Sequence, residues 1–496
     1  MDIRRQTVLV VSGLVMCGLA CSSLIPGPPR STSEATQPPP TTSVPLSPSP
    51  TAIEPGATPS SPAVAADREL SRTGPWIVFV NESGIWGLND DGTDLTQLAD
   101  PVYRPHLVSA PAGGRFAYIV GHPSGDPPLN LQVYSIPLRK DVAVLPLTPA
   151  LTEADLVDNA WTADDEAMLS IFNSDMAWSP DGRTLAFVGA IDGKTADIYT
   201  YSVESGEVSR VSSGPLQAAA PSWSPDGKYI VHFEQRFPGP VDTDMWSHRQ
   251  VDGVYAARAD GSAVVPLEAV DIGMESTVQG WDANTPSRFY VTDWEEACGP
   301  TDLQQVDIET GQVLNVWEGW VSSAGVKPNG DEVALTGADE CGSPSALIRW
   351  LPGQEIDVTF AGDARYVAWL KETRVGHSPY AATETFQGWF LLNGDAEPIP
   401  LNRPEGPAFS IVQAPGSDVL LWKGESLWMS SLEDPSAEPV QIFDQHVRWV
   451  FASDGADHLV FFADGEVWAA FAESGYQPLL RGIAGGIQGW PVWVED

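Results

Sequence analysis

Seven histidines, His106, His122, His232, His248, His377, His446 and His458, are the side chains of this chain best suited to proton transfer or metal ligation. They are dispersed, and no two stand at a ligand spacing. No His-Glu-x-x-His, glycine-rich phosphate loop or Gly-x-Ser-x-Gly nucleophile elbow occurs. His232 lies in the apolar run Tyr229–Phe233, which predicts a strand and a structural role. His248 lies in a long connection where it could face a ligand. Asn89-Asp90-Asp91-Gly92-Thr93-Asp94 begins like a calcium-binding loop, but the glutamate required at position twelve is missing, so a plain turn is expected. The four cysteines (Cys17, Cys21, Cys298 and Cys341) are too few for a disulfide-dense scaffold or a zinc module. These residues indicate no catalytic group, metal or cofactor.

The elements that must position any site belong to a large, acidic, turn-rich chain. It has 496 residues, 43% of them hydrophobic, with 45 Gly, 44 Pro and 19 Trp. Sixty-six acidic residues against 26 basic give a net charge of −40. Nucleic acid is excluded as a partner, because its binding needs clustered Lys and Arg to displace counterions. Electrostatic adhesion to anionic lipid is disfavoured for the same reason.

Residues 1–21 read as an export signal. Arg4 and Arg5 precede an apolar run of about 13 residues, Val8 to Ala20, which is short for a membrane span. The run ends in Gly18-Leu19-Ala20-Cys21, which resembles the lipobox of bacterial lipoproteins. That resemblance implies lipidation of Cys21, although Gly18 stands where the family usually has Leu. Cys17 has Leu14 at that offset, but the bulky Met16 beside it. Cleavage with release and an uncleaved anchor are the alternatives. Residues 22–72 form a linker rich in Pro, Ser and Thr. It cannot bury enough apolar surface to offset chain entropy and is expected to stay extended and disordered.

From Trp76 onward, short apolar runs alternate with Gly, Pro, Asp and Asn, which predicts an all-β protein. Met176-Ala-Trp-Ser-Pro-Asp-Gly-Arg-Thr-Leu-Ala-Phe-Val188 and Pro221-Ser-Trp-Ser-Pro-Asp-Gly-Lys-Tyr-Ile-Val-His-Phe233 spell the unit. Their aspartates, Asp181 and Asp226, are 45 positions apart, the length of one propeller blade. Pro presets φ in the turn, Asp bonds to the backbone beyond it, and Gly takes the left-handed conformation. Trp178 and Trp223 are expected to pack between blades. This unit resembles the TolB-like, or WD40-like, propeller repeat. Worn copies occur at Ala110–Tyr118 and Val326–Ala334, and weaker ones near Trp281, Trp369, Pro415 and Trp449.

The resemblance implies a single β-propeller over residues 73–496. Nine windows can be marked, two of them poorly, and about eight four-stranded blades are expected, within a range of seven to nine. The repeat starts without an inner strand, and Ile487–Trp493 is one too many at the end. The C-terminal strand is therefore expected to close the ring beside 76–80, with Trp490 in the inner-strand tryptophan position. Insertions are expected at 149–174, with a short helix near 163–171, and at 234–252. Cys298 and Cys341 fall in matching contexts between the second and third strands of adjacent blades. In an exported protein they are expected to form a disulfide, or otherwise to remain as two buried thiols.

Propellers of this type also front prolyl oligopeptidase-like enzymes, but those add an α/β-hydrolase domain for which the chain leaves no room after its closing strand. The expectation is therefore a monomeric, non-enzymatic binding or scaffold module for a protein, peptide or glycan. Its place would be the cell envelope, lipid-anchored to the outer face of the bacterial cytoplasmic membrane, or secreted if it is not lipidated. The alternative is a carbohydrate-active lyase or hydrolase with its site in the funnel. Carboxylates, His and Arg converging at one mouth of the ring would favour an enzyme.

Overall fold

The computed structural model describes residues 70–496, apart from segments 149–166, 237–249, 339–345, 370–380, 393–397 and 405–409 and some shorter stretches in connections. The signal reading, Cys21 and the linker up to residue 69 lie outside the described residues, and Leu70, at the end of the linker as read, is buried. Cys298, Cys341, His248 and His377 also lie outside the described residues.

The described strands form eight antiparallel sheets, seven with four strands and one with seven. The seven-stranded sheet contains two blades. Its long strand Gln312–Val326 pairs with Gly299–Asp307 along its first half and with Val333–Ala338 along its second, so the outer strand of one blade continues into the inner strand of the next. Nine blade-sized units result, the upper end of the expected range. The two poorly marked windows are blade five, beginning at Thr277–Trp281, and blade seven, beginning at Ala364–Trp369. Both lack the Ser-Pro-Asp-Gly turn; in blade five Asp282 Oδ1 accepts from the Asn284 and Thr285 amides in its place.

Where that turn is present, its side chains complete it. In blade three the Ser179 hydroxyl donates to Asp181 Oδ1 (2.6 Å), and the Arg183 amide donates to the same oxygen (3.1 Å). The Thr184 amide donates to Ser179 Oγ, and Gly182 sits at φ +68°. Blade four repeats these bonds with Ser224, Asp226, Lys228 and Tyr229. The hydrogen bond from Ser179 holds the Asp181 carboxyl below its usual range. The turn thus satisfies its own donors and delivers the chain into the next strand in register.

Three inner-strand tryptophans reach the preceding blade. The indole N–H of Trp178 donates to Val108 O (3.1 Å), that of Trp223 to Ala177 O (2.9 Å), and that of Trp281 to Ser222 Oγ (2.9 Å). These rings fill the wedge between radial sheets and satisfy their polar edges there. Every neighbouring pair of blades shares an apolar core. Between blades nine and one it contains Phe79, Trp449 and Phe462. Between seven and eight it contains Leu391 and Trp422.

The ring closes as expected. Gln488–Val494 pairs antiparallel with Trp76–Asn81, with Trp76 opposite Val494 and Ile77 opposite Trp493. One detail is corrected: Trp490 is 69% exposed, and Trp493 is the buried ring. Gly489 at φ +67° and a register shift between Val78 and Val80 turn the strand outward at that point. Trp490 lies edge-on to Trp449 at 6.2 Å, while Trp493 stacks on Phe451.

Candidate functional site

An even number of strands per blade makes every inner strand run in the same direction. All inner strands therefore start at one face of the ring, which also carries the connections between second and third strands. The Ser-Pro-Asp-Gly turns lie at the opposite face. The described ends of the two long insertions, Ser174 and Arg236, lie at the first face. Within the first insertion, Ala167, Ser170 and Ile171 are helical and buried.

A cleft of about 220 Å³ opens here between the inner strands of blades four and five. Its walls are Ala219, Ala220, Pro221, Ser222, Phe233, Gln235 and Val251 from blade four, Ser276, Thr277 and Val278 from blade five, and Asp175 from the end of the first insertion. Ala220 holds a left-handed φ of +49° at a bulge, just before Pro221. That conformation costs an alanine roughly 1 kcal/mol and is held by packing and by the bond its amide donates to Ser174 Oγ.

Beside the cleft, His106 and Asp175 meet, with Nε2 and Oδ1 3.3 Å apart. His106 stands immediately before the inner strand of blade two, and Asp175 just before that of blade three. They come from equivalent places in successive repeats. An imidazole steadied by a carboxylate is a unit that can accept and return a proton. Sequence reasoning missed this pair because the two residues are far apart in the chain. The available signal was the repeat register, since each precedes an inner strand.

Buried polar groups within blades three and four serve structure. Arg210 pairs with the buried Asp197 at 2.5 Å, and Thr195 and Ser212 also donate to that carboxylate. Burial raises the Asp197 carboxyl, an effect that Arg210 opposes. Glu234 is likewise raised, chiefly by burial, and bonds to Tyr255. His232 is fully buried and stacks on Tyr255 at 5.7 Å, with neither ring nitrogen in a hydrogen bond. Burial lowers its pKa to about 4, so it is a neutral core group.

The other expectations separate similarly. The Asn89–Asp94 segment is a closed turn, with Asp91 accepting from the Thr93 amide and hydroxyl and Asp94 accepting from Asn89 Nδ2. His446 faces Glu425 at 3.8 Å, and His458 packs on Phe471. Cys298 and Cys341 lie outside the described residues, between the strands Arg288–Glu295 and Gly299–Asp307 and between Val333–Ala338 and Ala346–Trp350 in chain order.

The protein is an all-β propeller, and part of its repeat is similar in sequence to that of TolB. Over 145 residues it is 30% identical to the uncharacterized peptidase YuxL of Bacillus subtilis, a match covering 29% of this chain and 18% of that protein. Over 54 residues it is 42% identical to the Tol-Pal system protein TolB of Alcanivorax borkumensis, covering 11% of this chain and 12% of that one. The chain thus spans well under two thirds of these relatives. No family model matches it. Among solved structures, a eukaryotic initiation factor aligns over 85% of this chain and 98% of its own, at 11% identity and a TM-score of 0.54, which is a likeness of fold. Dipeptidyl peptidase 4 of Porphyromonas gingivalis aligns over 75% of this chain and 58% of its own, at 12% identity and a TM-score of 0.45.

The expectation of a non-enzymatic binding module is overturned by the sequence likeness to a peptidase. No contiguous motif marks a histidine and a carboxylate that only the ring brings together, as it does His106 and Asp175.

Proposed function

We propose that this propeller works in peptide hydrolysis, admitting peptides at the face where the inner strands begin. The observation carrying this reading is the 30% identity to a bacterial peptidase over 145 residues. The His106–Asp175 pair beside the cleft supports it. In this reading His106 takes a proton from an attacking water as the C–O bond forms and returns it to the departing amine as the peptide C–N bond breaks, and Asp175 orients and steadies the imidazole. Such a base contributes about 10²–10⁴-fold in rate. The test is cleavage of internally quenched peptides by the full chain. Cleavage is expected, with His106→Ala lowering kcat by about 100-fold or more at an unchanged melting temperature. Absence of cleavage across the peptide set rejects the hydrolytic role, and a fully active His106→Ala protein rejects the assignment of the base.

The setting of this activity is proposed as the outer face of the cytoplasmic membrane, through a lipid on Cys21. The basic start, the apolar run and the Leu-Ala-Cys ending support that placement. Mass spectrometry of the mature N-terminus tests it, with a diacylglycerol adduct on Cys21 expected. Processed protein found free in the medium without the adduct rejects it.

A further inference from the structure

We infer that Arg448 and Trp490 form a subsite for the free C-terminal carboxylate of a short peptide whose last side chain is apolar. The inference names a substrate class for the hydrolysis proposed above and rests on that reading. Trp490 is 69% exposed and Arg448 is exposed too, so both are open to a ligand. They meet on one ring. The Arg448 guanidinium lies over Trp449 at 4.3 Å, and Trp490 stands edge-on to the same ring at 6.2 Å. Among the described residues, neither the guanidinium nor the Trp490 indole N–H has a hydrogen-bond acceptor, and Arg448 has no carboxylate partner. A second positive charge adjoins it. Lys423 Nζ donates to Arg448 O (3.1 Å) and likewise has no carboxylate partner among the described residues. Glu425, from the same turn as Lys423, faces His446.

These groups define the ligand by their chemistry. A guanidinium offers paired N–H donors that match a carboxylate, and such bonds are charge-assisted. The exposed tryptophan offers a flat apolar surface with an N–H at its edge. A cation beside an apolar surface calls for an anion beside an apolar group, which is the chemistry of a peptide's last residue. The net charge of −40 repels anions at long range, so the attraction comes from Arg448 and Lys423 at short range. The placement agrees with a peptide. Arg448 is the second residue of the inner strand of blade nine, and Trp490 the third of that of blade one. That strand lies beside the inner strand of blade two, which His106 immediately precedes. Arg448, Trp490, His106 and Asp175 thus stand at the starts of inner strands in four successive blades, on one face of the ring. A peptide held by its carboxylate at blades nine and one can lay its chain along this arc towards His106.

The test is titration of the full chain, isotopically labelled at its tryptophan nitrogens, with N-acetylphenylalanine and with its uncharged amide. The Trp490 indole N–H signal is identified by its loss in Trp490→Phe. A saturable shift of this signal is expected, with a Kd of about 1–5 mM for the acid and about fivefold or more weaker binding of the amide. Arg448→Gln is expected to abolish that preference at an unchanged melting temperature. Neither probe has to be cleaved, so this result stands whether or not the chain hydrolyses peptides. Among quenched peptides, those with a free C-terminus are expected to show a kcat/KM about fivefold or more above that of their amidated counterparts. Equal affinity for acid and amide, an unchanged preference in Arg448→Gln, or no saturation up to about 30 mM overturns the inference. Tighter binding of glucuronate than of N-acetylphenylalanine assigns the carboxylate to a saccharide and also overturns it. Hydrolysis without preference for the free C-terminus overturns it as well, while leaving the hydrolytic reading intact.

Discussion

His232 shows how one side chain can couple the fold to pH. Its folded pKa of about 4 lies below the unfolded value near 6.5, so the unfolded chain binds the extra proton between these values. Stability therefore rises with pH across that window, and it falls when pH drops from about 6.5 to 4. For a fully buried ring the loss is on the order of 3 kcal/mol. His232→Phe keeps the aromatic contact with Tyr255 and removes the titration. Urea midpoints from pH 7 to pH 4 are expected to fall less in this variant than in the native protein. An unchanged slope would assign the pH dependence to other groups. Asp181 acts at lower pH and in the usual carboxylate direction. Its depressed pKa gives stability above the unfolded value that is lost as pH falls through the folded one. The group is largely exposed, so the effect is small.

At the scale of elements, the closing strand offers a direct test of the fold. Val494 is fully buried and Trp493 nearly so. Trp493→Ala is expected to cost about 3–5 kcal/mol, the usual loss for a buried large aromatic, while Trp490→Ala should cost less than about 1 kcal/mol. Denaturant melts of the two variants measure this, and equal losses would contradict the register described above. Truncation after Gly485 removes both rings and the pairing with Trp76–Asn81, and is expected to melt far below the intact protein. Cys298 and Cys341 belong to this scale also, as a proposed link between blades five and six. Closing that loop of about 43 residues would contribute roughly 3–4 kcal/mol. Thiol labelling of denatured, unreduced protein should find neither of these cysteines reactive, and two reactive thiols would reject the link.

The whole molecule divides what was legible in the sequence from what was not. The Trp-Ser-Pro-Asp-Gly units at 178–182 and 223–227, their spacing and the phase mismatch at the two ends determined an all-β propeller closed by its last strand. Those features are local, since turn chemistry and strand alternation act over a few residues and the repeat multiplies them. The spacing also brought the blade count to between seven and nine. It could not show that Gln312–Val326 serves two blades, because that depends on which strand each half pairs with. Nor could it show that Gly489 turns Trp490 outward and leaves Trp493 to fill the core. The candidate site was hidden for the same reason. His106 and Asp175 come from two blades and meet only in the folded ring. Residue order determines strands and turns through short-range sterics and hydrogen bonds, whereas contacts between blades are decided only when the ring packs and closes.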